Sequence, residues 1–430
     1  MRINWFAPLP PAKTGIADYT LGLLPTLSQE AEVVLWTDQT NWDPVLEQYA
    51  AVCNYRPDQV DWIAVNQAQL SFYHIGNNYR FHTSIWQVSR RSPGVVILHD
   101  FRLHDFFESL YRGHWRDELG YLRQMEATYG EDGLTAATEF VSTAGADYDL
   151  MAQRFPMFPL ALENSLGVVV HTSEALSAVQ AANRWPVVYA PLPFSGKLRG
   201  RKLNSKNGAP FRLIVFGHIG RNRRIASVLK ALATLPERDR FHLDIYGEID
   251  DPKSLRDWIR DLGLKQLVSV HGYAPSAELD HALESSSLAI NLRYPTMGEA
   301  SASQLRIWTH ALPTLVTKVG WYASLPNDAV AHVRPEHEVD DIKSHLLRFL
   351  EEPQRFASMG EAGLRLLEKE HRPEQYASTL VSLASNTARF NLRKSAYELA
   401  ERSGALLGEW LNETEEMPVR VAAKLHEAFS

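Results

Sequence analysis

One loop of the sequence combines glycine with neighbouring arginines just before a predicted helix. The apolar run RLIVFG ends at Gly217 and continues through His218 to Arg223 and Arg224, with Asn222 as a candidate helix cap. Glycine lets the backbone approach a ligand, and a guanidinium makes the charge-assisted hydrogen bonds that phosphate oxygens favour. The loop is predicted to bind phosphate. The alternative is that both arginines only solvate a helix start.

A second stretch, from Asn291 to Pro313, places a carboxylate beside small residues at a helix start. Its loop carries Gly298 and Glu299. Exposed N–H groups of the helix would bind the phosphates of a sugar pyrophosphate, and Glu299 would bind sugar hydroxyls. Alternatively, Glu299 is only a capping carboxylate that the helix dipole favours. The small residues that start the helix are Ala300, Ser301, Ala302 and Ser303.

An early loop, Pro8–Tyr19, resembles these two in its chemistry. Gly15 opens a predicted helix at the end of the first predicted strand, where free backbone N–H groups attract anions. This favours a phosphate contact at Gly15. The alternative is a tight turn in which glycine supplies a positive φ.

Strands of a parallel sheet would position these loops. The apolar runs are nearly continuous rather than alternating, which is typical of strands buried on both faces. A long helical region is predicted between Phe101 and about Phe158. The predicted strands are Arg2–Ala7, Glu32–Thr37, Asp61–Val65, Leu70–Ile75, Gly94–His99, Gly167–Thr172, Val187–Ala190, Phe211–Phe216, His242–Tyr246, Val268–His271, Leu288–Leu292 and Thr314–Thr317.

A chain of 430 residues is long enough for two α/β domains. The predicted fold class is α/β, with two Rossmann-like, doubly wound domains whose strand ends face each other across a cleft. The first domain covers 1–195, a linker rich in Pro, Gly, Ser and Lys/Arg covers 196–210, and the second domain covers 211–372. C-terminal helices, 373–430, are predicted to return to the first domain.

Composition excludes several classes of protein. A formal charge of −7 argues against wholesale nucleic-acid binding, which needs a basic excess. Cys53 is the single cysteine, so neither an internal disulfide nor a thiolate metal cluster can form, which fits a reducing cytoplasm. The N-terminus lacks the layout of a signal peptide. No run reaches membrane-span length, and no HExxH or similar spacing indicates a metal, so no metal or other cofactor is predicted.

Together these loops resemble the retaining group 1 (family-four-like) glycosyltransferases of the GT-B architecture, most strongly from Leu213 to Pro326. The family's G-R-L…K-G element matches the Gly217 loop, with His218 in place of the usual arginine and Arg223 in place of the lysine. The first glutamate of its E-x7-E motif matches Glu299, and the second falls on Ile307.

The resemblance implies further site residues. His99 matches the family histidine that faces the donor sugar, and the early loop of the family contacts donor phosphate or acceptor at the position of Gly15. Loss of the second glutamate would weaken the ribose contact or move it to Gln304 or Arg306. The implied nucleobase and ribose region is His271, Gly272, Tyr273, Gln304 and Ile307, and the implied acceptor side is Asn77, Asn78, His82 and Asp100.

The implied activity is metal-independent transfer of a hexose from a UDP- or GDP-sugar to a saccharide, lipid-linked or small-molecule acceptor. The catalytic residues would be Glu299, His99 and Arg223, and the setting would be polysaccharide biosynthesis in the cytoplasm or at the inner membrane face. The aromatic stretch from Phe106 to Trp115 is either a peripheral membrane contact or core. Two rival functions are a nucleotide-sugar epimerase of the same architecture and a non-catalytic partner subunit, which the residues at 218 and 307 would favour.

Overall fold

The computed structural model describes residues 1–143, 147–200, 210–411 and residue 423. The chain divides into two compact units, Met1–Ala190 with Glu374–Ser430, and Pro191–Pro373. Of the predicted linker, residues 196–200 belong to the second unit, and 201–209 lie outside the described residues. The last part of the predicted C-terminal helices, 412–422 and 424–430, also lies outside them.

The described strands of the first unit form one seven-stranded sheet. They are β1 (Arg2–Phe6), β2 (Glu32–Thr37), β3 (Ala51–Asn54), β4 (Leu70–Ile75), β5 (Val95–Leu98), β6 (Gly167–Val170) and β7 (Val187–Tyr189). Their order is β3-β2-β1-β4-β5-β6-β7, and all neighbours are parallel. Every residue of β4, β5 and β6 is buried, which explains their continuous apolar runs.

Helices cover both faces of this sheet and create two apolar cores. One core contains Trp36, Tyr73 and Trp86, and the other contains Trp5 and Leu35. The helices are α1 (Gly15–Glu30), α2 (Trp62–Val65), α3 (Tyr79–Ser89), α4 (His104–Glu108), α5 (Glu118–Ser142), α6 (Tyr148–Arg154), α7 (Phe158–Ala161) and α8 (Ser173–Ala181).

The second unit has its own parallel sheet of six described strands, in the order β10-β9-β8-β11-β12-β13. These strands are β8 (Phe211–Phe216), β9 (Phe241–Tyr246), β10 (Val268–Gly272), β11 (Leu288–Asn291), β12 (Thr314–Thr317) and β13 (Ala331–Val333). Its helices are α9 (Ile225–Ala233), α10 (Pro252–Asp261), α11 (Ser276–Ser285), α12 (Ala302–Thr309), α13 (Gly320–Ala323), α14 (Glu338–Glu351) and α15 (Pro353–Glu370).

The chain then returns to the first unit through α16 (Pro373–Ser385) and α17 (Thr387–Leu411). Tyr376, Ala377 and Leu380 of α16 are buried in the core that contains Ile3 and Trp5. The prediction of an α/β fold with two doubly wound parallel sheets and a returning C-terminal helix is therefore confirmed.

One predicted strand, Asp61–Val65, is wrong. This segment contains α2, because the Asp61 carboxylate accepts a hydrogen bond from the backbone N–H of Ala64 at 3.0 Å and caps a helical turn. The sequence analysis also misses β3 and β13. β3 has four residues, none of them fully buried, so it lacks the apolar run that identifies the central strands.

The aromatic stretch after β5 lies in the core of the first unit. Phe106, Phe107 and Leu110 have no exposed surface, and Tyr111 is buried. The segment forms α4 and then a π-helical stretch at Ser109–His114. These four side chains are core, whereas Trp115, the last residue of the predicted stretch, is 38% exposed. Among the described helices, none is long and apolar enough to cross a bilayer.

Candidate functional site

Each sheet has a point at which the strand order reverses, between β1 and β4 in the first unit and between β8 and β11 in the second. Ligands of open α/β sheets bind outside the carboxyl ends of the strands at such a point. The loops there are 7–14 and 76–78 in the first unit, and 217–224 and 292–301 in the second. All predicted phosphate-contacting residues lie in these loops or at the helix starts that follow them.

The loop after β8 lies directly against the loop after β9. Gly217 and Gly247 have positive φ angles of 105° and 130°. A Cβ atom on Gly247 would lie 1.8 Å from the carbonyl oxygen of Gly217, so only glycine fits there. The backbone N–H of Ile219 donates to the carbonyl of Glu248 at 2.8 Å. This close contact fixes the path of the loop that carries Arg223.

Arg223 extends across the point of strand reversal. Its Nη2 occupies the space beside Gly217, where a Cβ atom would come within 2.5 Å. The residue is 3% exposed. Its Nη1 donates to Oδ1 of Asn291 at 2.6 Å, Nη2 to Oγ of Ser303 at 3.4 Å and Nε to the carbonyl of His218 at 3.3 Å. One side chain therefore joins the β8 loop, the end of β11 and the start of α12.

The charge of this guanidinium is not neutralised by its hydrogen-bond acceptors, which are an amide, a hydroxyl and a carbonyl oxygen. Burial, reinforced by the nearby Arg293, lowers the pKa of Arg223 to about 9. Glu299 acts in the opposite direction and lies within electrostatic reach. Two guanidiniums and one carboxylate leave a positive balance, which suits an anionic ligand.

Arg224, in contrast, forms an ion pair within the fold. Its Nε donates to both carboxylate oxygens of Glu338, at 2.7 and 2.9 Å, and Glu338 is 4% exposed. This ion pair gives Arg224 a structural role. Its predicted phosphate contact stays a prediction, because the side chain is still 31% exposed. The predicted cap is also wrong: Asn222 lies inside the 3₁₀ turn Arg221–Arg223, and α9 begins only after Arg224.

His218 faces a carboxylate. Its Nε2 lies 2.8 Å from Oδ1 of Asp250, and both side chains are more than half exposed. The backbone carbonyl of His218 accepts from Arg223, so the main chain rather than the ring contacts the buried guanidinium. A phosphate contact by the imidazole would have to compete with Asp250.

Glu299 folds back onto its own loop. Its Oε2 accepts hydrogen bonds from the Thr296 hydroxyl at 2.8 Å and the Met297 backbone N–H at 2.7 Å, and its Oε1 lies 3.3 Å from Nε of Arg293. A carboxylate has about four acceptor positions, so these contacts orient Glu299 and leave it able to accept from a ligand hydroxyl.

The small residues after Glu299 begin α12 as the sequence predicts. The helix starts at Ala302, and Oγ of Ser301 caps it by accepting from the backbone N–H of Gln304 at 3.1 Å. Ala300 precedes the cap, and Ser303 touches Arg223 through its hydroxyl. The positive end of α12 is therefore adjacent to the guanidinium.

Gln304 and Ile307 lie inside the fold. The Gln304 side chain has no exposed surface; its Oε1 accepts from Asn291, and its Nε2 donates to Thr314. Ile307 is 1% exposed and packs in the core with Ile214. Neither side chain is available to a nucleotide, which corrects the predicted ribose contacts. Their positions three residues apart place both on the inner face of α12.

A glutamate at position 307 is expected to destabilise the protein without strengthening nucleotide binding. Ile307→Glu would put a carboxylate into an apolar core, at a cost of roughly 3 kcal/mol or more. Urea unfolding and nucleotide titration measure the two effects. The control Ile307→Val should cost only about 1 kcal/mol. Tighter nucleotide binding at unchanged stability would show that residue 307 faces the ligand.

The loop after β10 adjoins the glycine contact described above. The carbonyl of Gly272 accepts from the backbone N–H of Gly247 at 2.6 Å. The His271 ring stacks on Tyr246 with centroids 4.2 Å apart, and its Nε2 lies 2.8 Å from the buried Asp244 carboxylate. Tyr273 is 68% exposed. The predicted nucleobase loop thus lies at the same edge of the sheet as Arg223.

In the first unit, Gly15 begins α1 directly after its cap, Thr14. Its φ is not positive, so the alternative prediction of a turn that requires glycine is wrong. A Cβ atom at Gly15 would meet no described atom within 4 Å. The predicted phosphate contact at Gly15 stays a prediction.

We expect Gly15→Ala to leave stability within about 0.5 kcal/mol of the parent while lowering transfer about tenfold. The added methyl group meets no described atom in the fold but narrows the approach to the helix start. Thermal unfolding and initial rates measure both. Gly113→Ala is the matched control, because a Cβ atom there also meets no described atom. Equal rates for both variants would remove Gly15 from the site.

His99 follows β5, and its backbone N–H donates to the carbonyl of Ile75 at 2.8 Å. Its Nε2 lies 2.9 Å from Nδ1 of His74. Burial, together with the neighbouring His171 and His74, lowers the pKa of His99 well below its ordinary value. The ring is therefore neutral at pH 7 and acts through hydrogen bonds rather than charge.

The residues predicted for the acceptor side converge on Gly76. A Cβ atom on Gly76 would lie 3.0 Å from Oδ2 of Asp100, Nε2 of His82 and the Ile16 side chain, so glycine allows their approach. Asp100 accepts from the backbone N–H of Asn77 at 2.7 Å. The loops after β4 and β5, the helix α3 and the start of α1 therefore meet at this point.

Three of these residues have structural roles that the sequence does not reveal. Oδ1 of Asn77 accepts from the Phe106 backbone N–H at 3.0 Å, and Asn78 caps α3 by accepting from Arg80. His82 is 1% exposed. This burial corrects the prediction that the His82 side chain lines an acceptor surface. Asn78 is exposed, so its acceptor contact stays a prediction.

Two residues of the site are missed by sequence reasoning. Asn291 receives the shortest hydrogen bond of Arg223, and Arg293 approaches Glu299. Their signal is a polar side chain at or just beyond the end of a buried strand, LAIN, where a parallel sheet places ligand contacts. Among the described residues, no group of three His, Cys, Asp or Glu side chains is arranged to hold a metal ion.

Comparison with known proteins gives a family match for part of the chain. Residues 199–366 match the family model described as "Glycosyl transferases group 1". No curated protein sequence matches the chain significantly.

Several solved structures are similar over most of the chain. Anabaena HepE in complex with UDP and glucose has a TM-score of 0.61 at 15% identity, covering 90% of this chain and 99% of that one. Sucrose-phosphate synthase from Thermosynechococcus elongatus has a TM-score of 0.64 at 14% identity, covering 90% and 98%. WaaG, a glycosyltransferase involved in lipopolysaccharide biosynthesis, has 0.57 at 14%, covering 88% and 99%.

Identities this low establish a shared fold rather than a shared substrate. The matched family segment contains Gly217, Arg223, Glu299 and the start of α12. Residues 199–366 thus match the glycosyl transferases group 1 family, and the two parallel sheets of the chain are those of the GT-B glycosyltransferase fold.

Proposed function

We propose that the protein is a glycosyltransferase that takes its sugar from a nucleotide diphosphate donor. The observation that carries this proposal is the buried guanidinium of Arg223, held by neutral oxygens beside the start of α12. A buried cation without a carboxylate among its acceptors retains a field that favours an anion. A pyrophosphate supplies that anion, and the family match of the surrounding segment supports the same ligand.

The proposed donor is a UDP-hexose. Support comes from HepE, a neighbour of the same fold, whose structures include complexes with UDP and with UDP-glucose. A GDP-sugar is the competing donor and is tested beside it. The backbone of the loop at His271–Tyr273 is the proposed nucleobase contact, because it adjoins the Gly217 loop through Gly247 and Gly272.

In the proposed reaction, the bond between the anomeric carbon and the β-phosphate oxygen breaks through an oxocarbenium-like state. Arg223 and the N–H groups at the start of α12 stabilise the charge that develops on the leaving diphosphate. The acceptor hydroxyl bonds to the anomeric carbon on the same face, and its proton passes to the departing phosphate oxygen. The configuration is then retained. Glu299 accepts hydrogen bonds from donor-sugar hydroxyls.

The remaining parts of the proposal concern the acceptor and the setting. We assign a saccharide, lipid-linked or small-molecule acceptor, a cytoplasmic location extending to the inner membrane face, and a role in polysaccharide biosynthesis. Positive charge from Arg223 and Arg293 replaces a metal at the diphosphate, so transfer should continue in the presence of EDTA. Asp100 and Asn77 mark the proposed acceptor side at Gly76.

A nucleotide screen tests the proposal. UDP, GDP and ADP, and their glucose or mannose derivatives, are added to the full chain, and thermal unfolding is followed. A bound nucleotide at a hundredfold excess over its dissociation constant raises stability by about 2.7 kcal/mol. Donor turnover is then measured with and without EDTA, and NMR of the product reads the anomeric configuration. Absence of saturable binding by every nucleotide would refute the proposal.

A non-catalytic partner subunit is the second candidate, favoured by the burial of Ile307 and Gln304 and by the Asp250 contact of His218. It would bind no nucleotide, or bind one without turnover. Incubating the protein with the nucleotide sugar and no acceptor distinguishes an epimerase from a transferase. Release of an isomerised sugar without an acceptor would favour the epimerase over the transferase.

A further inference from the structure

Three histidines from neighbouring strands lie in a row at the carboxyl edge of the first sheet. His74 is in β4, His99 follows β5 and His171 follows β6. The ring centroids of His74 and His99 are 5.2 Å apart, as are those of His99 and His171. Tyr19 of α1 and Tyr376 of α16 pack against the row. Of the three, only His99 is predicted from the sequence to face the donor sugar.

One hydrogen bond links His99 to this row, between its Nε2 and Nδ1 of His74 at 2.9 Å. Burial lowers the pKa of both rings well below the ordinary value, so both are neutral at pH 7. A neutral imidazole has one N–H donor and one acceptor nitrogen. The contact therefore contains a single proton, bound either to Nδ1 of His74 or to Nε2 of His99. Which of the two nitrogens carries it determines the tautomer of His99.

The surroundings of His74 decide which ring donates. Its Nε2 is buried and has no hydrogen-bond partner among the described residues. If Nδ1 accepted, Nε2 would carry a proton with no acceptor except the neighbouring ring of Trp5. The ring centroids of His74 and Trp5 are 4.2 Å apart. An unpaired buried N–H is disfavoured more than an unpaired buried lone pair. His74 is thus the donor, and Nε2 of His99 is the acceptor.

We propose that His74 is a positioning residue that fixes His99 in the tautomer with its proton on Nδ1. His99 then offers a neutral N–H donor and cannot act as a general base through that nitrogen. This step rests on the proposed function. There, the Nδ1–H group of His99 donates a hydrogen bond to an oxygen of the sugar. The leaving phosphate, and not His99, then takes the proton of the acceptor hydroxyl.

Nitrogen NMR of the full chain with ¹⁵N-labelled histidine tests the tautomer without any assay of activity. His99→Gln assigns the signals among the 16 histidines. We expect a protonated Nδ1 and an unprotonated Nε2 for His99. In His74→Phe, which keeps a ring against Trp5, Nε2 should become at least partly protonated. An Nε2-protonated His99 in the parent, or an unchanged tautomer in His74→Phe, would overturn the proposal.

Kinetic measurements then distinguish a positioning role of His74 from a packing role. His74→Phe should lower kcat about tenfold, the value of one hydrogen bond, with a smaller change in KM. His74→Asn can place an amide N–H near the position of Nδ1 and should recover most of the rate. His104→Phe is the control, because His104 is also buried and bonds to Phe155 and Tyr121 instead. Equal loss in His74→Asn and His74→Phe would reduce His74 to a packing residue.

The same experiments distinguish this inference from the proposed function. If the parent has the expected tautomer but turns over no nucleotide sugar, the glycosyltransferase assignment fails and the His74–His99 hydrogen bond stands. If transfer is measured and the tautomer is the opposite one, only the role of His74 is refuted.

Discussion

Arg223→Ala is expected to lower the rate of sugar transfer at least about 100-fold, the usual loss when a donor that stabilises developing charge is removed. The guanidinium is the buried cation that joins the Gly217 loop to Ser303. Initial rates at saturating donor measure the effect on kcat. Arg223→Lys should recover part of the rate, because it restores the charge without the two-pronged geometry.

Arg224→Ala is the control, because the neighbouring arginine has the opposite role. It leaves the buried Glu338 without its cation, which should cost about 3 kcal/mol of stability. Transfer measured well below the unfolding temperature should remain near the parent rate. Kinetics should therefore show the loss of rate in Arg223→Ala, and urea unfolding should show the loss of stability in Arg224→Ala at a near-parent rate. Loss of activity in Arg224→Ala at full folding would contradict the separation of roles.

Glu299→Gln is expected to reduce transfer by about 100-fold with a stability change below about 1 kcal/mol. The amide oxygen can still accept from Thr296 and Met297, so the loop keeps its shape. What is lost is the negative charge beside Arg293 and the capacity to accept from sugar hydroxyls at both oxygens. The measured quantities are kcat, KM for the donor, and the melting temperature.

A matched control for that substitution is Asp61→Asn. The Asp61 carboxylate also accepts from a nearby backbone N–H, but it caps α2. Asparagine is a comparable cap, so neither stability nor transfer should change. A near-normal rate for Glu299→Gln would mean that Glu299 only shapes its loop.

The central strands and the loops of the site could be predicted because their signals are local. Strand β4 is predicted with its observed bounds, Leu70–Ile75, since a strand buried on both faces is a continuous apolar run. Gly217, Glu299 and the small residues at the start of α12 follow such runs directly. The rule that ligands bind beyond the carboxyl ends of parallel strands then groups them.

The roles of individual side chains could not be predicted, because distant partners decide them. Arg223 and Arg224 are indistinguishable in the sequence, yet one is held by Asn291 and the other by Glu338, 114 residues away. The ribose prediction fails for a similar reason. The helical phase of α12 is set by its start at Ala302, and this phase turns Ile307 into the core. The spacing of a sequence motif alone does not determine which residues of the helix face the core.

The first unit is built from two stretches of chain that the second unit separates. Tyr376, Ala377 and Leu380 complete the core around Ile3 and Trp5. During synthesis, the face of the first sheet that α16 covers must therefore wait for the whole of Pro191–Pro373 to emerge. Domains usually fold in order from the N-terminus. Here the N-terminal half reaches its finished core last, while the half that holds Arg223 can fold as soon as it is made.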